Sequence, residues 1–212
     1  MAAKYIAIEG PIGVGKTTLA KMLANHYDGR LTLEKHDDNP FLEDFYKDRE
    51  RYAFQVQLFF LLSRFRQQQD YFSGDLLDSY IISDYFFGKD RIFADFNLNQ
   101  DELILYDHIA SLYEKNIPLP DLIIYLTAPT GILMERIKKR GRGYEKHIDY
   151  DYLDSINESY RKYFFHFHQT PLLVINTEHV NFDSESDQFK YLIERIENLK
   201  SGTSYLVPSG EE

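Results

Sequence analysis

Apolar and polar positions follow two rhythms along the chain. Short runs rich in β-branched and aromatic residues end in polar ones at Tyr5–Glu9, Leu31–Glu34, Tyr80–Asp84, Leu122–Thr127 and Leu172–Asn176, and each is predicted as a strand. Longer segments between them are predicted as helices: Thr18–Asn25, Tyr52–Gln69, Glu102–Lys115, Leu133–Arg140 and Tyr150–His168. Strands that stay apolar along their length belong to a parallel sheet covered on both faces, since a sheet with one wet face alternates. The predicted class is therefore α/β. Ligands in such folds collect where strands end and loops leave the sheet, so the polar residues at strand ends matter most.

Length and composition narrow the reading. At ~150 residues per domain, 212 residues make one domain over 1–200, with 201–212 read as a flexible tail. The balance of 24 Lys and Arg against 34 Asp and Glu gives a charge of −10, a field that repels DNA or RNA, so no polymeric nucleic acid is expected. With no cysteine, disulfides, thiolate catalysis and cysteine-held zinc or iron–sulfur sites are excluded. Met1–Glu9 carries no secretory signal, and runs such as Leu58–Leu62 fall far short of the ~20 residues of a membrane span, so a cytoplasmic protein is expected. His166 and His168 would point ~200° apart on a helix and are read as packing or surface residues.

Candidate chemistry begins at the first strand end. Gly10-Pro11-Ile12-Gly13-Val14-Gly15-Lys16-Thr17 fits the phosphate-binding P-loop pattern, between a strand and the helix opened by Thr18. Glycines let backbone N–H groups converge on phosphate oxygens, and the helix N-terminus adds partial positive charge. Lys16 would reach the β- and γ-phosphates of ATP, and Thr17 would offer its hydroxyl to Mg²⁺. A ligand-free glycine-rich turn is the bland alternative. Neither an Asn-Lys-x-Asp nor an Asp-x-x-Gly string occurs, which argues against a GTPase switch.

Four further segments, in order, resemble the deoxynucleoside kinase family. They are Leu33-Glu34 with Asn39–Tyr46, Phe54–Gln57 with Ser63-Arg64, Ser83-Asp84 through Asp90–Ala94, and Glu135-Arg136 through Arg140–Glu145. Asn-Pro-Phe-Leu and Ile-Phe-Ala look most like the bacterial deoxyguanosine and deoxyadenosine kinases. The resemblance implies a P-loop kinase fold with a five-stranded parallel sheet and a short arginine-rich lid at about 136–146. It also implies ATP- and Mg²⁺-dependent 5′-phosphorylation of a deoxynucleoside, purines first and deoxycytidine next, in nucleotide salvage. A homodimer is the expected assembly, with a heterodimer as the alternative.

By the same resemblance Glu34 is the general base, Gln57 reads the base edge with Arg64 and Asp90 beside it, and Tyr46 and Glu145 hold the sugar 3′-hydroxyl. Asp84 would hold Mg²⁺ through water, and Arg136, Arg140 and Arg142 form the catalytic lid. Gln57 and Arg64, seven residues apart, share one helical stripe across ~10 Å of rise. Gly141–Gly143 reads as a movable loop at the lid.

Two positions depart from the family pattern. Tyr85 follows Asp84 where many members carry arginine, leaving Lys89, Arg91 or a lid arginine to supply the charge. Lys35-His36 follows Glu34 where Pro-Val is common. Two other functions compete: a nucleoside monophosphate kinase of thymidylate kinase type, which Glu34 would oppose by repelling a monophosphate, and a non-catalytic nucleotide-binding subunit.

Overall fold

In the computed structural model, which describes residues 4–72, 80–115, 117–180 and 186–206, the predicted strands lie side by side in one sheet. They are β1 (Lys4–Glu9), β2 (Arg30–Thr32), β3 (Tyr80–Ser83), β4 (Leu122–Thr127) and β5 (Leu172–Asn176), joined by β6 (Thr203–Leu206). All pairs are parallel, in the order β2-β3-β1-β4-β5-β6. In the central β1 and β4, five of the six residues are buried, as strands covered on both faces require.

Among the described residues the sheet thus has six strands rather than the five expected. The extra strand lies within 201–212, so Thr203–Leu206 is not a free tail; residues 207–212 lie outside the described residues. Without β6 the edge of β5 would present a row of unpaired backbone groups. Instead Leu172 N–H donates to the Gly202 carbonyl at 3.0 Å, the ladder continues to Ile175 opposite Leu206, and Leu206 is buried. Ending the chain at Lys200 should therefore remove about 2 kcal/mol of apolar burial. Thermal melting should show a fall of roughly 4–8 °C.

Helices cover both faces: α1 (Lys16–His26), α2 (Leu42–Lys47), α3 (Arg49–Phe72), α4 (Lys89–Asn97), α5 (Gln100–Glu114), α6 (Thr130–Arg140), α7 (Tyr150–Phe165) and α8 (Asp187–Asn198). Each start has a local cause where a cap is present. Asn99 and Glu102 close a reciprocal capping box on α5, while Asp149 and Ser186 accept the Tyr152 and Phe189 N–H groups at α7 and α8. Gly141, at φ 71°, takes the left-handed turn that ends α6, and a 3-10 turn over Gly143–His147 follows. Tyr150–His168 stops three residues early as α7, and His166 and His168 are exposed, as expected of surface residues.

Candidate functional site

The loop between β1 and α1 has the backbone that its glycines predict. Gly10, Gly13 and Gly15 all hold positive φ, at 151°, 86° and 107°. A side chain on Gly10 would put its Cβ 2.4 Å from the Leu126 carbonyl oxygen, so Gly10→Ala should cost about 2 kcal/mol or more, read as a lowered melting temperature. Lys16 Nζ arches back over the loop and donates to the carbonyls of Gly10 and Pro11 at 2.7 and 3.1 Å. Burial, with the like charge of Lys89, pushes the Lys16 ammonium down to about 8.

Behind the loop, Glu9 is fully buried and acts as a knot. Its carboxylate accepts from the N–H groups of Gly10 and Phe86 at 2.8 and 2.9 Å and from the Tyr160 hydroxyl at 2.9 Å, tying β1 to the segment after β3 and to α7. Sequence reasoning gave Glu9 no role beyond ending a strand.

Asp84, at the end of β3, joins the two sides of the site. Its Oδ2 accepts the Thr17 hydroxyl at 2.6 Å and its Oδ1 accepts the Glu34 backbone N–H at 2.7 Å. Glu34 lies just beyond β2, where Asp84 N–H meets the Thr32 carbonyl at 3.1 Å. One carboxylate therefore links the helix that opens after the phosphate loop with the residue expected to be the base.

The Glu34 side chain is nearly buried and faces Arg64, Lys89 and His36. Arg64 Nε donates to Oε1 at 2.8 Å and a second guanidinium nitrogen of Arg64 contacts the same oxygen. Lys89 Nζ donates to Oε2 at 2.7 Å, and His36 Nδ1 lies 3.2 Å from Oε2. Burial alone would raise the carboxyl, but Arg64, Lys89 and His36 outweigh it and hold Glu34 well below the usual carboxylate range. Arg64 also pairs with the buried Asp90, so that one guanidinium bridges two acids.

Of the substitutes considered for the arginine missing after Asp84, Lys89 stands against Glu34, 2.7 Å from Oε2. Arg91 points away, onto Asp95 at 2.8 Å and Asp107. Tyr85 is fully buried, inside the fold rather than in the cleft.

These groups line a single cleft of about 660 Å³. The loop residues Ile12 to Thr18 border it, with Glu34, Gln57, Arg64, Asp84, Tyr46 and Glu145. Asp90 stands behind Arg64, outside the lining. Gln57 is buried on α3 yet makes no side-chain hydrogen bond among the described residues, leaving its amide free to pair with a base edge. Tyr46 stacks on Tyr144, with centroids 6.2 Å apart and planes at 6°. Burial first, then neighbouring Tyr152, Glu145 and Tyr144, raises the Tyr46 phenol well above its ordinary value, so it stays protonated and able to donate.

The three lid arginines do not act as one cluster. Arg140 grips Glu145 with two nitrogens at 3.1 and 2.5 Å, and Arg142 stands 3.7 Å from the same carboxylate. Arg136 instead binds the hydroxyl and carbonyl of Thr177 at 2.9 and 2.6 Å, beyond the end of β5. The Thr177 hydroxyl also reaches the Val14 carbonyl at 3.3 Å, so Arg136 buttresses the phosphate loop from the side. His36, Tyr144 and Tyr152 are cleft residues to which the sequence reading gave no role, and Lys89 was named there only as one substitute for the missing arginine. The sequence signal for His36 was its departure from a family pattern, and for Lys89 it was the arginine missing at Tyr85.

The donor set suits Mg²⁺. A threonine hydroxyl and an aspartate carboxylate are hard oxygen donors, and no group of three or more acidic or histidine side chains forms a protein-only metal cage among the described residues. That is the arrangement expected for an ion that keeps its waters and phosphate oxygens.

Comparison with known proteins agrees with this geometry. A family model for deoxynucleoside kinase matches residues 6–201. The deoxyguanosine kinase of Bacillus subtilis (strain 168) is 40% identical over 159 residues, covering 74% of this chain and 77% of that protein. The deoxyadenosine/deoxycytidine kinase of the same organism is 30% identical over 204 residues, covering 92% of each. A solved structure of deoxyadenosine kinase from M. mycoides with bound dATP aligns at a TM-score of 0.75 and 26% identity, over 92% of this chain and 100% of that one. With a P-loop, a strand-end acid and Gln57 of α3 converging on one cleft, and a family match across nearly its whole length, the chain belongs to the deoxynucleoside kinase family of phosphotransferases.

Proposed function

We propose that the protein transfers the γ-phosphoryl group of ATP to the 5′-hydroxyl of deoxyguanosine or deoxyadenosine, with deoxycytidine as a further acceptor. The observation that carries this reading is the Thr17–Asp84–Glu34 chain of hydrogen bonds, which opens the phosphate loop and the acid into one cleft. The relatives named for deoxyguanosine and for deoxyadenosine and deoxycytidine support the acceptor class, and the dATP-bound structure supports a nucleotide in this fold.

Backbone N–H groups of Gly13 to Thr17 and the start of α1 cradle the phosphates, and Lys16 swings from the loop carbonyls onto them. Thr17 and Asp84 would hold Mg²⁺, which would supply neutralisation of charge on the phosphate oxygens. Glu34 orients the 5′-hydroxyl and accepts its proton. Alignment and charge neutralisation carry most of a phosphoryl transfer, so the proton can leave late in a loose transition state. Gln57 pairs with the base edge, and Tyr46 with Glu145 takes the 3′-hydroxyl once Arg140 and Arg142 turn from Glu145 to the transferring phosphoryl group.

Lys16→Ala should lower kcat about 10²- to 10³-fold, since it removes charge aimed at the transferring group. Steady-state kinetics with saturating ATP would show it. A coupled assay offering deoxyguanosine, deoxyadenosine, deoxycytidine and their monophosphates tests the whole reading: nucleosides should be phosphorylated and monophosphates should not. Phosphorylation of monophosphates alone would place the chain with the monophosphate kinases.

Ile104, Leu105 and Leu112 stand exposed along α5, which supports a homodimer. Light scattering should then report twice the mass of one chain.

A further inference from the structure

Resting on the kinase reading, we infer that Lys89 is a catalytic residue, an ammonium that bridges Glu34 to the transferring phosphoryl group. Lys89 opens α4, and its placement is built into the turn before it. Gly88 lies so close to Phe86 and Tyr163 that an added Cβ would come within 2.4 and 2.7 Å of their side chains, and Lys89 N–H closes the turn on the Phe86 carbonyl at 3.0 Å. The side chain then runs over the Phe93 ring, with Nζ 5.7 Å from its centroid, and ends on Glu34 Oε2 at 2.7 Å. It is buried in protein yet part of the cleft wall with Lys16, Thr17 and Asp84.

Of the guanidinium groups around the cleft, Arg64 and Arg136 are committed within the fold, and Arg140 and Arg142 must first leave Glu145 to reach a phosphoryl group. Arg64 spans Glu34 and Asp90, Arg136 holds Thr177, and Arg140 and Arg142 engage Glu145. Lys89 differs in capacity. Its ammonium carries three donors, and Glu34 Oε2 is its one ion-pair partner among the described residues, so donors remain for a phosphoryl oxygen. Lys16 lines the same cleft, so an arriving polyphosphate would meet both ammonium groups.

The reaction sharpens the case. The O5′–Pγ bond forms as the bond from Pγ to the β,γ-bridging oxygen breaks, ADP leaves with that electron pair, and the O5′ proton passes to Glu34. In the ground state the carboxylate balances Lys89. As Glu34 takes the proton that balance is lost, and the ammonium charge becomes available to the γ-phosphoryl oxygens. An interaction stronger in the transition state than in the bound substrate raises kcat and leaves KM largely unchanged.

The test compares the parent chain with Lys89→Ala, Lys89→Met and Lys89→Arg, measuring kcat, KM for deoxyguanosine and for ATP, and the melting temperature, with and without ethylammonium. Lys89→Met keeps the stem that packs on Phe93 and serves as the folded control. Expected are a fall in kcat of about 10²-fold in the two uncharged variants with KM within about threefold, and partial retention in Lys89→Arg. Ethylammonium should restore turnover to Lys89→Ala and leave the parent unaffected.

The inference fails if folded Lys89→Met turns over within about threefold of the parent. It fails if neither ethylammonium nor arginine rescues the loss. It also fails if both uncharged variants misfold, because Lys89 would then serve the fold. A parent chain that phosphorylates no deoxynucleoside would instead overturn the proposed function, so the two failures are distinct.

Discussion

Glu34→Gln is expected to lower turnover by about 10²- to 10⁴-fold while the KM for deoxyguanosine changes far less. The amide keeps the size of the side chain and its contact with the acceptor hydroxyl, but it cannot take the proton. It also deprives Arg64 and Lys89 of the charge they share, so the folded state should lose stability alongside activity. The two effects separate by measurement: kcat at a temperature well below the variant's melting point reports the chemistry, and the melting curve reports the lost pairing. A folded Glu34→Gln with nearly parental kcat would remove the residue from the reaction.

Arg64→Met should be the most destabilising single change at the site. It strands the buried Asp90 and takes from Glu34 the partner of its Oε1, leaving Lys89 and His36 on Oε2, and breaking a buried pair by removing one partner costs about 3–5 kcal/mol. For a chain of this size the melting temperature should fall by roughly 6–20 °C. Arg64→Met combined with Asp90→Leu should recover part of the loss, since the second change removes the stranded charge. Additive losses in that double variant would mean that Asp90 does not depend on Arg64.

The central features of the site were legible because the sequence writes them locally. The phosphate loop is a backbone conformation, and Gly10, Gly13 and Gly15 take the positive φ that their spacing implies. Leu122–Thr127 and Leu172–Asn176 form strands with the predicted bounds, being unbroken apolar runs flanked by turn residues. Glu34, Asp84 and Gln57 all reach the cleft, because strand ends and one helical stripe fix where they point.

What escaped depends on contacts between distant segments. β6 is a four-residue edge strand, half exposed, between Gly202 and Pro208, and only its pairing with β5 makes it a strand. α8 did carry a signal, with Ser186 as its cap and Phe189, Leu192, Ile193 and Ile196 on one face. α2 and α4, at six and nine residues, are too short to declare themselves. Side-chain partners were the least legible. Nothing in the spacing of Arg136 and Arg140 reveals that one turns to Thr177 and the other to Glu145, since both acceptors are set by tertiary packing.

For transfer to occur, the donor phosphate and the acceptor hydroxyl must meet in one cleft between Lys16 and Glu34. A crystal structure with deoxyguanosine joined 5′ to 5′ to adenosine through a polyphosphate chain tests this directly. The phosphates should lie in the Gly10–Thr17 loop with the deoxyguanosine 5′-oxygen beside Glu34 and its base against Gln57. A deoxyguanosine moiety bound away from Glu34, with the phosphates still in the loop, would contradict it.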